Sequence, residues 1–480
     1  MIYEYKTRPY NHQREALRQA EGREGFAWLM EMGAGKTKVA IDEMSKLILA
    51  GSVTRVLILA PKAVYMNWLL REIPTHMPDS VRSSCEIVEW RPGGGSSAHQ
   101  VKLNKLLNSD RPYVLIMNIE AMSSGDKALK CALRHVSSGP AAVYLDESTT
   151  IKNPTSTRTK RAVEISRHCA VRRIMTGSPA TRSPLDIYSQ FEFLGRRMLG
   201  FSSYFSFRAR YAVIEEKYVG GRVVKVPVAY RDTEDLARRI KPHSYRVTKE
   251  ECLDLPPKIY TMREVELSPQ QRRMYDEVRR SAQSEIGEGS FVSATQVMQQ
   301  MTRMHQILCG HVRDEEGNLH YLQNNRLETM MEVIEESCGK VIIWSAYRPD
   351  IDTIVHKIRE VYGPQSVVEF HGGTTLDDRE RATTRFQEDP ECRFIVSNET
   401  GARGNTWTAA SHVIYYSNGY NLETRIQSED RAHRVGQKKS VTYTDLYVPG
   451  TIDERVIRAL RDKIDIASTI TGDKYREWLI

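Results

Sequence analysis

Short apolar runs alternate with longer segments of helical apolar spacing, and this alternation occurs twice along the chain. In the first half the strand candidates are residues 26–30, 56–60, 113–117, 142–145 and 172–176. In the second half they are residues 340–344, 366–370, 393–396, 412–416 and 444–448. Apolar strands separated by helices form parallel sheets that are covered on both faces. The pattern predicts an α/β fold of two doubly wound parallel-sheet lobes, each with a helical insertion.

The composition fits a globular protein of two or three domains, since 40% of the 480 residues are hydrophobic and 27% are charged. No apolar run approaches the roughly 18 residues that a membrane span needs. The first ten residues carry charges where a signal peptide would be apolar, so we expect a protein that is not exported. The seven cysteines are scattered singly, which favours free thiols in a reducing compartment.

His305, Cys309 and His311 form the nearest approach to a metal-ligand cluster in the sequence. A zinc site needs further ligands at a characteristic spacing, and no second cluster supplies them. We therefore expect no zinc site there.

Residues 30–37, "MEMGAGKT", follow a strand candidate and open a helical segment. Gly33 and Gly35 let backbone N–H groups approach phosphate oxygens, and the helix N-terminus adds the positive end of its dipole. Lys36 can reach the β- and γ-phosphates, and the Thr37 hydroxyl can ligate Mg²⁺. Methionine opens this stretch where a longer phosphate-binding loop has glycine, so the match is to the shorter GxGKT form. The alternative is a tight strand-to-helix turn.

Residues 143–154, "VYLDESTTIKNP", place two acids directly after a buried strand candidate. Ligands collect at the carboxyl ends of parallel strands, where a phosphate-binding loop with Mg²⁺ needs a second acidic anchor. Asp146 fits as the carboxylate that holds the metal through water, and Glu147 as the base that orients and deprotonates the attacking water. The alternative, two acids in a surface turn, does not explain the buried strand before them. The two motifs together predict an NTPase.

Arg431 and Arg434 lie in "DRAHRVGQ" (430–437), far along the chain in the second lobe. They are three residues apart on a predicted helix, so they share one face. Two guanidinium groups on the second lobe could stabilise γ-phosphate charge when the lobes close. A solvated charged helix is the alternative.

Most of the chain's excess positive charge lies in residues 196–250, which hold 13 Lys and Arg residues against 6 Asp and Glu. Aromatic residues in this segment include Tyr204, Phe205, Phe207, Tyr211 and Tyr218. Interleaved basic and aromatic residues favour a nucleic-acid-facing surface over a merely solvated one. We expect Arg208, Arg210 and Arg222 to contribute phosphate contacts.

With these motifs the chain resembles the SWI/SNF-type ATPases of helicase superfamily two, over nearly its whole length. The further segments that carry the resemblance are residues 8–17, 59–72, 114–122, 175–194, 252–260, 301–311, 340–347, 370–374, 397–410, 420–437 and 451–460. The resemblance implies two RecA-like lobes, with ATP and Mg²⁺ as cofactors. The implied domains are 1–195 (first lobe, ATP-binding), 196–250 (its basic insertion), 251–338 (linker and helical insertion), 339–450 (second lobe) and 451–480 (a bracing C-terminal helix).

The resemblance also implies site residues. The nucleotide-binding residues would be Gln13 as the adenine contact, Gly33, Ala34, Gly35, Lys36, Thr37, Gly404 and Gln427. The DNA contacts would be Lys62, Asn67, Trp68, Asn118, Ser345, Gly372 and Thr406. The residues that couple hydrolysis to movement would be Thr149, Thr176, Gly177 and Pro179.

The chain departs from the family pattern in two places. Ser148 and Thr149 follow the acid pair where the family usually has Ala or Gly and then His. Thr149 can hydrogen-bond to the coupling motif, but more weakly than an imidazole ring. Glu399 stands where the family usually has Arg, and Thr406 where it usually has Asn.

These features predict an ATP-dependent translocase on double-stranded DNA that displaces or remodels bound protein or nucleic-acid structures. The first alternative is a strand-separating or branch-migration helicase on forked DNA or RNA. The second is a DNA-binding clamp that uses ATP as a switch and does not travel. Lacking appended reader modules, the sequence suggests a monomeric cytoplasmic protein of a bacterial nucleoid or a phage-infected cell, with a nuclear location left open.

Overall fold

The computed structural model describes residues 3–471 apart from short gaps at 63, 92–96, 108, 182, 220–221, 253–254, 288–293, 315 and 403–404. The chain forms two compact units, whose main segments are Met1–Val213 with Ala229–Asp254 and Leu255–Asp465. Each unit is built around one large parallel sheet with helices between its strands, so the predicted α/β fold class is confirmed.

The first unit holds a seven-stranded sheet of order β3-β4-β2-β5-β6-β1-β9, in which every neighbouring pair is parallel. The strands of this part of the chain are β1 (Gly25–Met30), β2 (Arg55–Ala60), β3 (Glu86–Glu89), β4 (Tyr113–Asn118), β5 (Ala141–Asp146), β6 (Val171–Met175), β7 (Ala212–Val219), β8 (Arg222–Tyr230) and β9 (Ser244–Val247). β7 and β8 form a separate two-stranded sheet. All five strands predicted in this half are confirmed.

The second unit holds a six-stranded parallel sheet of order β10-β17-β16-β13-β15-β14. Its part of the chain contains β10 (Lys258–Glu264), β11 (His311–Arg313), β12 (Leu319–Tyr321), β13 (Lys340–Trp344), β14 (Val367–Phe370), β15 (Phe394–Ser397), β16 (Ala410–Tyr415) and β17 (Val441–Tyr447). The five predicted strands are again confirmed. β11 and β12 pair antiparallel within residues 251–338, so the insertion predicted there as helical also contains two short strands.

The helices that follow and precede these strands have the following bounds. They are α1 (Asn11–Ala20), α2 (Lys36–Leu49), α3 (Tyr65–Asn67), α4 (Ile73–His76), α5 (Asp79–Ser84), α6 (Ser97–Leu107), α7 (Lys127–Val136), α8 (Thr157–Ser166), α9 (Ile187–Leu194), α10 (Tyr204–Tyr211), α11 (Thr233–Ile240), α12 (Lys249–Cys252), α13 (Pro269–Gly287), α14 (Ala294–Cys309), α15 (Asn325–Glu336), α16 (Arg348–Tyr362), α17 (Leu376–Glu388), α18 (Leu422–Glu429) and α19 (Ile452–Thr471). A π-helical turn covers Trp68–Glu72, and 3₁₀ turns cover Ile119–Ser123, Ser148–Ile151, Pro184–Asp186, Lys241–His243 and Glu399–Ala402.

Burial explains why the strands read as uninterrupted apolar runs. Every residue of β1, β2 and β4 is buried, because helices cover both faces of a parallel sheet. The strands that the sequence did not predict lie at sheet edges and carry polar residues, as in β3 ("EIVE") and β9 ("SYRV"). Partial exposure at an edge removes the apolar pattern on which such predictions depend.

The sheet order positions the candidate site. β5, β6 and β1 are neighbours and run parallel, so their carboxyl ends lie on the same edge of the first sheet. The loop after β1 is residues 31–35, the acid pair closes β5, and Thr176 with Gly177 follows β6. Three of the predicted motifs therefore meet at one edge, as expected for ligand sites in such sheets.

Candidate nucleotide site and nucleic-acid surface

The loop between β1 and α2 has the backbone that a phosphate cradle requires. Gly33 and Gly35 have φ of 83° and 82°, in the left-handed region that favours glycine. A Cβ atom on Gly35 would lie 2.1 Å from Gln13 Nε2, so the close approach of α1 also excludes a side chain. α2 begins at Lys36, whose Nζ donates to the carbonyl oxygens of Met30 at 3.0 Å and Glu31 at 3.4 Å. This buried ammonium group is thus held by neutral acceptors.

The start of α1 supports this loop. Gln13 is buried, its Oε1 accepts from Tyr10 N at 2.9 Å, and its Nε2 donates to Ala34 O at 3.3 Å. His12 Nε2 lies 2.9 Å from the same carbonyl oxygen, and its ring stacks on Tyr10 at 5.7 Å. The role of Gln13 as adenine contact remains a prediction, but its contact with the phosphate-binding loop is direct.

Asp146 ends β5 with both carboxylate oxygens engaged by neutral donors. Trp68 Nε1 donates to Oδ2 and the backbone N–H of Glu147 donates to Oδ1, each at 3.1 Å. Burial raises the pKa of Asp146, while the Trp68 hydrogen bond and the positive charge of Lys36 oppose that rise. Trp68 is only 2% exposed, so its predicted DNA contact is corrected: its indole positions Asp146 from within the core.

Glu147 connects the acid pair to the segment after β6. Its backbone is left-handed, with φ 48° and ψ 65°, which is costly for a residue with a side chain. Thr176 Oγ1 donates to Glu147 Oε2 at 3.4 Å. The next residue, Gly177, packs on the phosphate-binding loop, since a Cβ there would lie 3.0 Å from Met32 N. Two of the predicted coupling residues therefore link Glu147 to that loop.

Sequence reasoning missed Gln190, which lies on α9 and is fully buried. Its Oε1 accepts from Ser148 Oγ at 2.6 Å, and its Nε2 donates to the carbonyl oxygens of Pro179 at 2.7 Å and Asp186 at 2.8 Å. The predicted coupling residue Pro179 is thereby tied to the residue after Glu147. The available signal was a glutamine placed among the buried apolar residues Ile187, Phe191 and Leu194 of α9.

Sequence reasoning also missed the support that β9 gives, because residues 244–247 fall within the predicted basic insertion. Arg246 Nη1 donates to Leu29 O at 2.7 Å and to Gly177 O at 3.0 Å. The backbone N–H of Glu31 donates to Val247 O at 3.0 Å, and Lys249 N donates to Glu31 Oε2 at 2.8 Å. The end of the basic segment therefore belongs to the first sheet and holds the start of the phosphate-binding loop at Glu31.

In the second unit, Arg431 and Arg434 converge on one backbone segment. Arg431 is buried and donates to Gln427 O at 2.9 Å and Asn405 O at 2.6 Å. Arg434 is half-buried and donates to Thr406 Oγ1 at 2.9 Å and Asn405 O at 3.3 Å. α18 ends at Glu429, so the prediction that both arginines lie on a helix is wrong. Hydrogen-bonded turns hold them instead, from Arg431 N to Ser428 O onward.

The sequence predicts two nucleotide-binding residues in the second unit, Gly404 and Gln427. Gln427 is buried on α18, with Nε2 3.4 Å from Glu423 Oε1. Gly404 lies outside the described residues.

The predicted DNA contacts differ in exposure. Lys62 and Gly372 are exposed, and Asn67 and Thr406 are half-buried. Asn118 and Ser345 are each 3% exposed, so their predicted DNA contacts are corrected. Ser345 Oγ donates to Asp350 Oδ2 at 2.7 Å and lies 3.1 Å from Ser417 Oγ. These contacts hold the end of β13 within the protein and leave the hydroxyl group engaged by protein atoms.

The basic segment is only partly the predicted surface. Phe205 is 73% exposed, with the guanidinium of Arg208 6.0 Å from its ring centroid. Phe207 and Tyr211 are fully buried against each other, so their predicted exposure is wrong. Arg210 pairs with Asp232 at 3.1 Å. The side chains of Arg222 and Tyr218 lie outside the described residues.

The residues of the disfavoured zinc cluster serve other contacts. His311 Nδ1 lies 2.8 Å from Asp350 Oδ1, and His305 Nδ1 lies 2.9 Å from Tyr347 Oη. Burial raises the pKa of the Cys309 thiol well above its usual value. Within the described part of the chain, no three His, Cys, Asp or Glu side chains are grouped to hold a metal ion.

A phosphate-binding loop, an acid pair at the carboxyl end of another parallel strand of the same sheet, and a second parallel-sheet unit define an ATP-hydrolysing enzyme of the helicase type. Comparison with known families agrees: residues 22–312 match the SNF2-related domain and residues 325–436 match the helicase conserved C-terminal domain. The chain belongs to the SNF2-related family of helicase superfamily two, as the motifs predicted.

Relatives share this sequence at low identity. The ATP-dependent helicase MG018 of Mycoplasma genitalium is 26% identical over 475 residues, covering 95% of this chain and 42% of that protein. Protein CHROMATIN REMODELING 4 of Arabidopsis thaliana is 24% identical over 462 residues, covering 90% of this chain and 20% of that protein. The solved Sulfolobus solfataricus SWI2/SNF2 ATPase core in complex with dsDNA is 22% identical, with a TM-score of 0.44 and coverage of 98% and 96%. Among the described residues, no helix has the length and apolar character to cross a membrane.

Proposed function

We propose that this chain hydrolyses ATP with Mg²⁺ and uses the cycle to translocate on double-stranded DNA, displacing bound protein or nucleic-acid structures. The observation that carries the proposal is the contact between Glu147 and Thr176 next to Gly177, which packs on the phosphate-binding loop. Through it, a change at the γ-phosphate can reach the segment that follows β6.

The residues around the loop fit the chemistry of ATP hydrolysis. Lys36 Nζ donates to two backbone carbonyl oxygens, which carry no net charge, so its positive charge can neutralise phosphate oxygens. The Thr37 hydroxyl and the Asp146 carboxylate are the hard oxygen donors that Mg²⁺ prefers, and this ion usually takes its remaining ligands from water and phosphate. Glu147 would accept the proton of the attacking water. Bound Mg²⁺ would supply charge neutralisation at the phosphates.

The first experiment asks which nucleic acid stimulates hydrolysis and whether the protein travels. We expect duplex DNA to stimulate the ATPase rate more than single-stranded DNA, forked DNA or RNA. The rate should rise with duplex length before it reaches a plateau, because a travelling motor turns over more ATP before it leaves a longer track. Stimulation that is independent of length would instead favour the ATP-switched clamp.

The second experiment asks whether the strands separate. Helicases often carry a wedge hairpin between their last two motifs, but here β16 ends at Tyr415 and α18 begins at Leu422, which leaves only residues 416–421 between them. Stacking opposes opening by about 1.4 kcal/mol per base-pair step, so a motor without a wedge should follow the duplex intact. We expect displacement of a triplex-forming strand and little unwinding of a fork.

One observation favours the helicase alternative. The β7–β8 hairpin, which the sequence did not predict, exposes the apolar side chains of Val213, Val223 and Val228. An exposed apolar hairpin is the kind of element that can enter between base pairs, as apolar wedges do in other DNA-binding proteins. Fork unwinding that exceeds triplex displacement, and that is lost when the three valines are replaced by serine, would establish this alternative over the translocase.

A further inference from the structure

The residue after the proposed catalytic base belongs to a buried hydrogen-bond chain. Ser148 and Gln190 are both fully buried, and Ser148 Oγ donates to Gln190 Oε1 at 2.6 Å. The two hydrogens of Gln190 Nε2 go to the carbonyl oxygens of Pro179 and Asp186, at 2.7 and 2.8 Å. The amide group of Gln190 therefore bonds in a single orientation, since its reverse would set a carbonyl oxygen against two others.

This hydrogen-bond chain is important because it lies next to the left-handed backbone of Glu147. A left-handed conformation at a residue other than glycine persists only when its surroundings hold it. On one side β5 fixes Asp146, and on the other Ser148 is held by Gln190. Without the second support Glu147 could relax toward an extended backbone, which would swing its carboxylate away from Thr176.

The same glutamine also fixes the segment that begins at Gly177. Pro179 accepts from Gln190, and Lys152 Nζ, from the turn that follows the acid pair, donates to Thr181 Oγ1 at 2.9 Å. Two ties thus join residues 148–152 to residues 179–181. In the family that this chain belongs to, a histidine usually follows two residues after the acid pair, whereas here Thr149 stands there.

We propose that the Ser148–Gln190–Pro179 hydrogen-bond chain positions Glu147 for catalysis and links it to the segment 177–181. Ser148 and Gln190 are positioning residues, because they act through Glu147 and touch no reacting atom. The inference rests on the proposed ATP hydrolysis by Glu147.

The test is a double-mutant cycle with Ser148→Ala, Gln190→Leu and the combination. Ser148→Ala removes a single hydroxyl group, so it tests the bond even if Gln190→Leu proves unstable. We expect each single variant to lower kcat roughly three- to tenfold, the size that a lost hydrogen bond gives, with the affinity for a fluorescent ATP analogue unchanged. The double variant should lose no more than the worse single variant, because the two residues act as one unit.

Ser189→Ala is the matched control. Ser189 is the neighbour of Gln190 on α9 and is 1% exposed, and its hydroxyl has no hydrogen-bond partner among the described residues. The control should keep kcat within twofold of the wild type. A loss of kcat that is additive in the double variant, or that Ser189→Ala reproduces, would reduce the chain to a packing role and overturn the inference. Wild-type protein without ATPase activity would overturn the proposed function itself, whereas active wild type with unaffected Ser148→Ala would overturn only this inference.

Discussion

Two buried cations, Lys36 in the first unit and Arg425 in the second, are held in opposite ways. In the first unit the Lys36 ammonium is bonded to two backbone carbonyl oxygens, and Asp146 to an indole and an amide N–H. In the second unit Arg425 makes ion pairs with Asp445, at 2.9 Å from Nη2, and with Glu429, at 3.0 Å from Nε. Both carboxylates are 1% exposed.

This difference distinguishes a buried cation that can bind a ligand from one that stabilises the fold. A buried cation whose charge is already balanced by carboxylates stabilises the fold, and breaking such a pair leaves an uncompensated charge. A buried cation on neutral acceptors keeps its charge available for an anion. By this criterion Lys36 is poised for phosphate, while Arg425 holds α18 to β17. Arg434 resembles Lys36 in this respect, since it donates to a carbonyl oxygen of Asn405 and to the hydroxyl oxygen of Thr406.

The largest expected effect is at Glu147, the proposed base of the candidate nucleotide site. Glu147→Gln should still bind ATP but lose turnover, by up to about ten-thousandfold in kcat, because the amide cannot accept the proton of the attacking water. Single-turnover hydrolysis and ATP binding measure the two effects separately. Glu164→Gln, an exposed change of the same kind on α8, is the control. Near-normal turnover in Glu147→Gln would refute its assignment as the base.

The second largest effect is expected at Arg434, the arginine that we compare with Lys36. Arg434→Ala should lower kcat by about a thousandfold or more and leave nucleotide affinity largely intact, as loss of a transition-state contact does. The exposed Lys438→Ala removes an equal charge nearby and serves as the control. If ATP affinity collapses while kcat survives, Arg434 binds the ground state and the lobe-closure mechanism is wrong.

The comparison itself is tested by Lys36→Ala and Arg425→Ala. We expect Lys36→Ala to weaken ATP binding about ten- to hundredfold, the value of a charge-assisted hydrogen bond, with little loss of stability. Arg425→Ala should lower the free energy of unfolding by about 3–5 kcal/mol, because the buried Asp445 loses its ion pair with Arg425, whereas Glu429 keeps Lys258. Urea unfolding and nucleotide titration measure both. The opposite result, an unstable Lys36→Ala and a stable Arg425→Ala, would contradict the distinction.

The smallest expected effect concerns the basic segment. Neutralising Arg208, Arg210 and Arg222 together should weaken DNA binding irrespective of sequence and reduce the salt dependence by up to about one log unit per lost contact. Arg210→Gln alone should reduce the salt dependence less than Arg208→Gln does, because Asp232 already balances the charge of Arg210. DNA titrations at several salt concentrations measure this. An unchanged slope in the triple variant would make the segment a solvated surface.

The sequence by itself determined the elements that depend on local pattern. Uninterrupted apolar runs predicted ten parallel strands because both faces of each sheet are covered, and the glycine spacing before Lys36 predicted a loop that only glycine can form. The acid pair was identifiable because two charges directly follow a buried strand. These signals lie within short stretches of sequence, so they survive without knowledge of the fold.

Only the tertiary structure decided which polar residues face ligands and which are buried and hydrogen-bonded within the protein. Trp68, Asn118 and Ser345 belong to motifs that suggested DNA, but packing across strands buries them. Gln190 and Arg246 lie at least 40 residues from the acid pair or the phosphate-binding loop, yet they bond to Ser148 and Leu29. The sequence does not distinguish a polar side chain that contacts solvent from one that contacts a ligand or a distant carbonyl oxygen. The free energy of that side chain depends on its partners, and only folding brings those partners together.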